Sequence, residues 1–446
     1  MPAKRFCVSC GAKFVFRNSE EPENLRLKVV REGGFSPPPS KAPGGDVVAI
    51  FLRWSLIRAM FHRGYVLAAF LYFVVNAHLS PSQLTLLGTI MSVTVSAADI
   101  PAGAWADAIG RRWSLVVGHV LLAAGMMMTG FVSAYSSIVA TQVLWALGWA
   151  FSGGADVAWL TDEFEGQGLI DRVLARSLRL RWVGGAIGML AFGILGWAVS
   201  LAAAIVVSGA AMALLGIQVA VQFRERKFVR APKAWSSPLP ILRRGFALAF
   251  HDSEILLVLA ATFLSEGASI IGWLFPKRLV SLGISSDPVL WWTVIGILSF
   301  MVGAISLRVV EARIDRPDTA RRIYALACLI GVAGVVLLTY GRNVVVVGLG
   351  MLLVWGIAFN LTRAVSVIWV NRRTTGDVRA TVLSCLSQAE SFGEMVSGSA
   401  LTILARTAGM RSTLLAAGAL LALAGATLTG FGAERARLAG HRRGTV

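Results

Sequence analysis

Charged residues are scarce in this chain of 446 residues: only 15% are Asp, Glu, Lys or Arg, while 56% belong to the apolar set. A soluble protein of this length needs many more polar side chains to cover its surface. Lipid accepts apolar side chains, so a bilayer is the solvent that this composition predicts.

Motifs of catalysis are also missing. The chain has no glycine-rich phosphate loop ending in lysine, no H-E-x-x-H pattern and no evident nucleophile–base set. These absences argue against a membrane enzyme and against ATP-driven transport. We therefore expect no catalytic residue and no cofactor.

Cysteine is rare, with four residues. Cys328 and Cys385 fall in apolar stretches and are interpreted as small hydrophobic residues. Cys7 and Cys10 form a C-x-x-C, half of a zinc ribbon whose other half is absent. Two interpretations stay open for this pair: reduced cysteines without a metal, or a metal site shared between molecules.

The first 45 residues are polar, contain three consecutive prolines and lack the apolar core of a secretory signal. They predict a retained, disordered cytoplasmic tail.

Acidic residues are fewer than basic ones, 24 against 42, which gives a formal charge of +18. The basic residues cluster in short segments between apolar runs, as expected for loops beside an anionic membrane. No basic–aromatic surface remains for nucleic acid once those runs are removed. The expected partners are membrane lipids and a small solute.

What the chain does contain is a series of apolar runs, each long enough to cross about 30 Å of hydrocarbon. Twelve are predicted: 52–78, 82–104, 113–133, 138–161, 182–199, 200–222, 253–275, 289–308, 323–341, 344–369, 382–404 and 412–433. The fold class is an all-α membrane protein.

The loops predict the orientation of these spans. Of the 42 Lys and Arg, 33 fall on the side of the N-terminus and four lie within spans; five are on the other side, namely Lys277, Arg278, Arg342, Arg406 and Arg411. The positive-inside rule then places both termini in the cytoplasm and the protein in the inner membrane.

A polar, Pro-containing stretch at the midpoint of the spans divides the chain. We predict a tail at 1–45, a six-helix bundle at 46–222, a linker at 223–250, a second bundle at 251–433 and a tail at 434–446. Parallel six-helix halves are one known repeat plan of transporters.

The strongest local motif is GAWADAIGRR, which follows the second span and contains Gly103, Asp107, Gly110, Arg111 and Arg112. It resembles the signature loop G-x-x-x-D-x-x-G-R-R of the major facilitator superfamily. By physical reasoning Gly103 allows close helix packing, Gly110 permits a tight turn, and the arginines keep the loop in the cytoplasm.

The resemblance implies two pseudo-symmetric six-helix bundles and a gating role for Asp107. In the family this carboxylate stabilises the outward-open state through a charged partner and the N-terminal dipole of the eleventh helix. Here that helix is expected to start near Arg379. The alternative for Asp107 is a plain charge at a helix end.

Weaker similarities to prokaryotic drug or metabolite exporters occur around Asp99, from Ser152 to Asp156 and after Arg379. Two features depart from drug–proton antiporters. The fourth span has no arginine, and the fifth has glycines without a proline. These departures argue against proton antiport by the usual route.

An ionisable group at mid-bilayer costs about 2.5 kcal/mol or more, so it usually faces a cavity or a partner. The candidates for a solute or proton pathway are Arg58, His62, Asp99, Asp156, Glu266, Arg363, Glu390 and Glu394. The alternative is a set of structural ion bridges, for example Asp99 with Arg58. Arg53 and Arg63 are interpreted as reaching the cytoplasmic interface.

Two other residue types need an interpretation. His119 is either a packing residue or a proton relay. Most of the fourteen tryptophans are interpreted as interface anchors or packing, but Trp145, Trp149, Trp273 and Trp355 could line a cavity. A cavity that is both aromatic and charged suits an amphipathic organic solute.

Two functions fit the sequence. The first is a monomeric secondary transporter of a small organic solute by alternating access, with proton-coupled efflux as one form. The second is a sensor or scaffold of the same fold that does not transport.

Overall fold

The computed structural model describes residues 4–6, 13–15, 45–164, 170–226, 252–283, 287–311, 317–374 and 376–443. The chain divides into two units, residues 1–42 and 43–446.

In the first unit, β1 (Lys4–Phe6) pairs antiparallel with β2 (Lys13–Val15). These six residues lie within the predicted tail, most of which is outside the described residues. Cys7 and Cys10 lie outside the described residues. No cluster of His, Cys, Asp and Glu in the described part could hold a metal ion.

The first half of the second unit is helical. Its elements are α1 (Gly45–Val75), α2 (Pro81–Ile109), α3 (Arg111–Thr129), α4 (Tyr135–Ser152), α5 (Ala155–Glu163), α6 (Ile170–Ala198) and α7 (Leu201–Gln222). Together they make six spans, the fourth of which is α4 followed by α5. We call residues 45–226 the N-half.

The second half repeats this plan. Its elements are α8 (Ser253–Gly267), a 3₁₀ turn (Ala268–Ile270), α9 (Ile271–Val280), α10 (Pro288–Glu311), α11 (Pro317–Tyr340), α12 (Val344–Met351), a π-helix (Leu352–Ala358), α13 (Phe359–Arg373), α14 (Gly376–Thr407) and α15 (Gly409–Arg443). We call residues 252–443 the C-half. Most of the predicted linker lies outside the described residues.

Ten helices of the described part are long and apolar enough to cross a membrane. The two that complete the predicted twelve are α1 and α14, which carry Arg53, Arg58 and Arg63, and Glu390 and Glu394. Charged side chains lower the apolarity of these two helices. The helices also run beyond the predicted spans, and α6 begins twelve residues before position 182.

Each half has its own apolar core. Consecutive spans run in opposite directions, so the ends of the bundle differ. We call the end that holds residues 110–112, 224–226 and 372–373 the basic end, and the other the opposite end.

The halves meet at the opposite end and at mid-height. Lys277 Nζ donates to the Leu79 carbonyl at 2.7 Å, and Thr402 Oγ1 donates to Thr85 Oγ1 at 3.0 Å. Among the described residues, no hydrogen bond joins the halves at the basic end. There, Ile100 of α2 is 78% exposed. In the part of the chain that the structure describes, the hydrogen bonds between the halves are therefore confined to the opposite end and mid-height.

Candidate functional site

The fourth span is broken where two glycines occur together. Gly154 has φ +74°, a left-handed conformation that suits glycine, and α5 starts immediately after it. The break places Asp156 in the first turn of α5, where it is buried and accepts a hydrogen bond from Arg181 of α6 at 2.7 Å. The ion-bridge alternative is thus the observed arrangement for Asp156.

A cavity of about 230 Å³ lies beside this pair, bounded by α1, α4 and α6 of the N-half and by Phe300 of α10. Its polar wall consists of Arg58, His62, Arg63 and Arg181. Arg58 and His62, one turn apart on α1, line this cavity together. Arg63 does not reach the interface as predicted: it lines the cavity with its guanidinium 4.9 Å from the Phe300 ring.

Asp99 is not part of this cavity. Its side chain is exposed on α2, and it makes no ion pair with any described residue. The suggested bridge between Asp99 and Arg58 is wrong, because the exposed face of α2 turns Asp99 away from α1. Arg53 also lies apart from the cavity, in a surface groove with Arg176.

A second charged group is built in the C-half at two irregular stretches of helix. Glu266 ends α8 just before the 3₁₀ turn, and Arg363 follows the π-helix by one turn. Irregular helical turns of this kind often occur at functional sites. Glu266 is fully buried and binds Arg363 through both carboxylate oxygens, with Nε to Oε1 at 2.7 Å.

This pair extends to α14 and across to the N-half. Glu394 lies 3.9 Å from Arg363 and accepts hydrogen bonds from Ser92 of α2 at 2.7 Å and from Ser269 at 3.4 Å. Glu390, one turn earlier on α14, is half-buried and interacts electrostatically with Glu266, Arg363 and Glu394. Three carboxylates therefore surround one guanidinium at the interface of the halves.

An aromatic cavity of about 140 Å³ separates the halves further toward the opposite end. Trp273, Trp292, Trp355 and Phe70 line it, and the rings of Phe70 and Trp273 stack at 4.4 Å. The expectation that Trp149, Trp273 and Trp355 line a cavity is met. Trp145 instead packs behind the first cavity, stacked on His62.

The loop around residue 110 is fastened to the end of the N-half. Gly110 has φ +132°, and a Cβ there would come within 2.5 Å of Glu225. Glu225 also accepts the backbone N–H of Arg112 at 2.8 Å. Gly110 thus fills its predicted turn role.

Other residues of this loop differ from expectation. Arg111 pairs with Asp107 and lies 3.6 Å from Asp162 of α5. The predicted contact of Asp107 with the start of the eleventh span falls on residues whose side chains are outside the described set. Gly103 does not mediate close packing here, since no atom lies within 4 Å of a Cβ built on it.

A separate ion cluster ties together the C-half helices at the basic end. Arg373 binds Asp252 at 3.0 Å and Glu254 at 2.9 Å, and Arg321 binds Glu254 at 3.1 Å. Partial burial disfavours the charged form of Asp252, but hydrogen bonds from Arg373 and from the N–H of Glu254 outweigh it. The pKa of Asp252 is therefore lowered.

The comparisons with known proteins agree with this architecture. The family model described as Major Facilitator Superfamily matches residues 54–398, more than half of the chain. The chain belongs to the Major Facilitator Superfamily. The resemblance of its signature loop is thus confirmed, and so is the fold of two six-helix bundles. Such a chain is a multi-pass membrane transporter, not an enzyme.

Solved structures of superfamily transporters share this fold. They include a mutant of the nucleoside transporter NupG (TM-score 0.75, 12% identity, 86% of this chain and 99% of that one). A bacterial homologue of the human lysosomal transporter Spinster, in an inward-facing conformation, has a TM-score of 0.64 at 16% identity, covering 87% and 97%. A D-xylose–proton symporter has a TM-score of 0.65 at 12% identity, covering 87% and 97%. No curated protein matches the chain in sequence.

Within this superfamily fold, His119 is a packing residue. Its Nε2 accepts from the Trp54 indole at 3.1 Å and its Nδ1 donates to the Leu115 carbonyl at 2.7 Å. Both ring nitrogens are occupied and the residue is fully buried. The proton-relay interpretation therefore has no support.

Sequence reasoning missed several residues around the site. Arg181 and Trp182 precede or begin the predicted fifth span, and only the longer α6 brings them to the cavity. Helical periodicity extended back to position 170 could have signalled them. Glu225, Ser92 and Phe300 carry no sequence signal, because each acts through a partner more than a hundred residues away.

Proposed function

We propose that this superfamily member moves a small amphipathic organic solute by alternating access, through the cavities between its halves. The observation that carries the proposal is the arrangement of the halves: their described hydrogen bonds lie at the opposite end and at mid-height, and none of them lies at the basic end. Charged and aromatic side chains line the space between them. A cavity with a few convergent polar groups in an apolar surround is typical of a solute site.

The basic end faces the cytoplasm in this proposal, with α1 beginning and α15 ending there, in the inner membrane. The distribution of Lys and Arg supports it. The described conformation is then inward-open.

Protons are the proposed coupling ion. Glu266, Glu390 and Glu394 lie around Arg363, and like charges this close favour a shared proton. Gain or loss of that proton changes the number of ionised carboxylates that can pair with the guanidinium of Arg363. It also changes the link from Glu394 to Ser92, which joins the two halves. Efflux is the direction that the resemblance to exporters favours.

Closure of the basic end is the proposed role of the loop from Gly103 to Arg112. Arg111 already joins Asp107 to Asp162 within the N-half. The open face at Gly103 leaves room for a helix of the C-half to approach.

Transport into proteoliposomes tests the proposal. Purified protein is reconstituted with a trapped pH-sensitive dye, and amphipathic organic solutes are added singly, with and without an imposed pH gradient. We expect at least one solute to cross only when protein is present, with proton movement. Glu390→Gln should remove the dependence on the gradient, whereas Asp46→Asn, an exposed carboxylate in the first turn of α1, should retain it.

Two outcomes count against parts of the proposal. Transport that is indifferent to the gradient removes the proton coupling and leaves a uniporter. Failure of every solute in the panel to cross argues against transport of this solute class.

A further inference from the structure

The guanidinium groups of the first cavity are not balanced by carboxylates. Arg58, Arg63 and Arg181 line it together with His62, and no acidic side chain is among its lining residues. The nearby carboxylate of Asp156 interacts electrostatically with Arg58, but it is hydrogen-bonded to Arg181 at 2.7 Å.

Arg58 has no hydrogen-bond acceptor among the described residues. Its Nε is buried without a partner, and its guanidinium lies between two indoles, 5.3 Å from the ring of Trp54 and 4.9 Å from that of Trp149. Cation–π contacts offset part of the cost of burial but accept no directional hydrogen bond. The N–H donors of Arg58 are therefore available to a group in the cavity.

Arg63 and His62 repeat this pattern. Arg63 contacts the face of Phe300 and has no ion-pair partner among the described residues, and the C-half charge that acts on it is the like charge of Arg363. His62 Nε2 is also buried without a partner, with its ring 4.8 Å from that of Trp149. Each leaves a polar group that the surrounding protein does not satisfy.

The rest of the described molecule treats buried charge differently. Arg363 binds Glu266, Arg321 binds Glu254, and Arg181 binds Asp156. Unpaired buried charge is costly, and proteins normally pair it. Two unpaired arginines on one wall of one cavity therefore indicate that an anion completes the site.

Aromatic side chains complete the lining of the cavity. The rings of Trp182 and Phe300 pack edge to face at 4.7 Å, and Trp149 lines the same cavity. The volume of about 230 Å³ is below that of typical drug-sized pockets. A bound molecule is therefore small, with an apolar, flat part.

We propose that the solute is a small organic anion, whose carboxylate or equivalent acidic group binds between Arg58 and Arg63 and whose flat apolar part packs against Trp149, Trp182 and Phe300. This rests on the proposed function in that the cavity is taken to be the solute site. It narrows the amphipathic solute to one sign of charge.

A charge series on one carbon skeleton tests the proposal. The probes are phenylacetate, phenylacetamide and phenethylamine, with the naphthyl equivalents of all three. Binding to the full-length protein in detergent is measured by calorimetry and by the shift of the melting temperature. We expect the carboxylates to bind, and the amides and amines to bind at least about tenfold more weakly, because the neutral amide forms no ion pair with the arginines and the ammonium group of the amine is repelled by them.

Variants locate the binding. Arg58→Gln and Arg63→Gln should each weaken carboxylate binding about tenfold or more. Arg58→Lys, which keeps the charge but not the planar fork, should fall between Arg58→Gln and the wild type. Arg53→Gln is the matched control, since Arg53 lies on the same helix outside the cavity. It should bind like the wild type.

Equal binding of amide and carboxylate, preference for the amine, or no carboxylate bound at millimolar concentration overturns the proposal, and the wild-type series alone is sufficient for this. The outcome is separable from that of the transport experiment. Carboxylates that bind but never cross a membrane contradict the proposed function, whereas the anion site between Arg58 and Arg63 is still supported. Transport of amines or neutral solutes alone supports the proposed function and contradicts the assignment of an organic anion as the solute.

Discussion

Charged side chains inside the spans fall into two groups by their partners. Asp156 with Arg181 and Glu266 with Arg363 are bound pairs, whereas Arg58 and Arg63 have no carboxylate partner among the described residues. The sequence identifies most of these charges because they interrupt apolar runs. Their pairing depends on helices that are far apart in the chain.

In the Glu266–Arg363 pair, we expect replacement of the two residues to cause unequal losses of stability. Glu266 is 1% exposed and Arg363 is 45% exposed, and Arg363 keeps other carboxylates nearby when Glu266 is replaced, among them Glu394 at 3.9 Å. Arg363→Gln leaves the buried carboxylate of Glu266 without its cation and should lower the free energy of unfolding by about 3 kcal/mol. Glu266→Gln should lower it less. The double variant should be more stable than Arg363→Gln alone. Melting temperatures in detergent give this order.

The control for this series is Arg406→Gln, an exposed arginine on α14 that should melt like the wild type. Equal losses for the two single variants, or additive losses in the double variant, would contradict the asymmetric pair.

Asp252 makes a prediction about pH. Its lowered pKa means that the ionised form stabilises the fold. This contribution is present above about 3.9, the unfolded value, and is lost as pH falls through the lower folded value. Asp252→Asn should therefore melt below the wild type at neutral pH, and the difference should shrink below about pH 4. Melting temperatures across pH measure it.

Asp252→Ala separates charge from capping. The Asp252 side chain also accepts from the N–H groups of Glu254 and Ile255 at the start of α8. Asparagine can cap a helix, and alanine cannot, at a cost of about 1 kcal/mol. The alanine variant should lose stability at every pH. A difference between wild type and Asp252→Asn that persists in acid would show that the lost interaction is not electrostatic.

Broken helices are the main departure from regular structure at the scale of elements. The fourth span breaks at two glycines, the seventh passes through a 3₁₀ turn and the tenth through a π-helix. Asp156, Glu266 and Arg363 all lie within one or two turns of such a break. The breaks therefore position the charged groups, because each changes the direction in which the following turn presents its side chains.

At the break in the fourth span, we expect replacement by alanine to affect stability differently at Gly153 and at Gly154. Gly154 has φ +74° with open space around a Cβ, so Gly154→Ala costs backbone strain alone, about 1–2 kcal/mol. Gly153 has φ −65° and its nearest neighbours at 3.5 Å, so Gly153→Ala should be neutral or stabilise by about 0.5 kcal/mol. Melting temperatures of the two variants are compared directly.

Each variant serves as the control for the other, since the added methyl group is the same. Destabilisation by Gly153→Ala equal to that by Gly154→Ala would mean that the left-handed turn does not define the break.

The whole molecule is two halves that touch over part of their height. At the opposite end α2 packs against α14, with Thr402 donating to Thr85 and with Gly398 close to Thr89. Near the basic end α2 exposes Ile100 and Trp105. The exposed side chain of Ile100 leaves an apolar surface that lipid or another element can cover.

This arrangement predicts that a disulfide between α2 and α14 can reversibly hold the opposite end closed. In a chain whose Cys7, Cys10, Cys328 and Cys385 are replaced by alanine, Thr85→Cys with Thr402→Cys should form a disulfide under mild oxidation, since the two Oγ1 atoms are 3.0 Å apart. The bond should stop transport, because alternating access requires this end to open. Reductant should restore transport. Mobility on denaturing gels and proteoliposome uptake are the measurements.

Each single cysteine variant is the control and should transport with or without oxidant. Absence of a disulfide would contradict the contact between α2 and α14. Full transport by the linked protein would contradict opening at that end.

Much of the fold and part of the site follow from the sequence. Twelve spans, the division into halves and the turn at Gly110 are predicted by apolar runs and local motifs. Predictions about pairs were less successful: Asp99 does not meet Arg58, and no described side chain of another helix packs against Gly103. Pairing is not encoded locally, because it depends on how helices rotate and lean against one another.

The sequence by itself determined that this chain spans a bilayer, since its apolar runs have no other stable solvent. Its basic loops predict which side of the membrane they occupy. It also determined which polar groups are carried into the membrane. Only the tertiary structure decided which of them are satisfied. Arg181 reaches Asp156 because α6 begins earlier than apolarity suggests, and that contact leaves Arg58 and Arg63 to face the cavity unpaired. The physical reason is that electrostatic pairing depends on distance in space, which apolar periodicity along a chain does not specify.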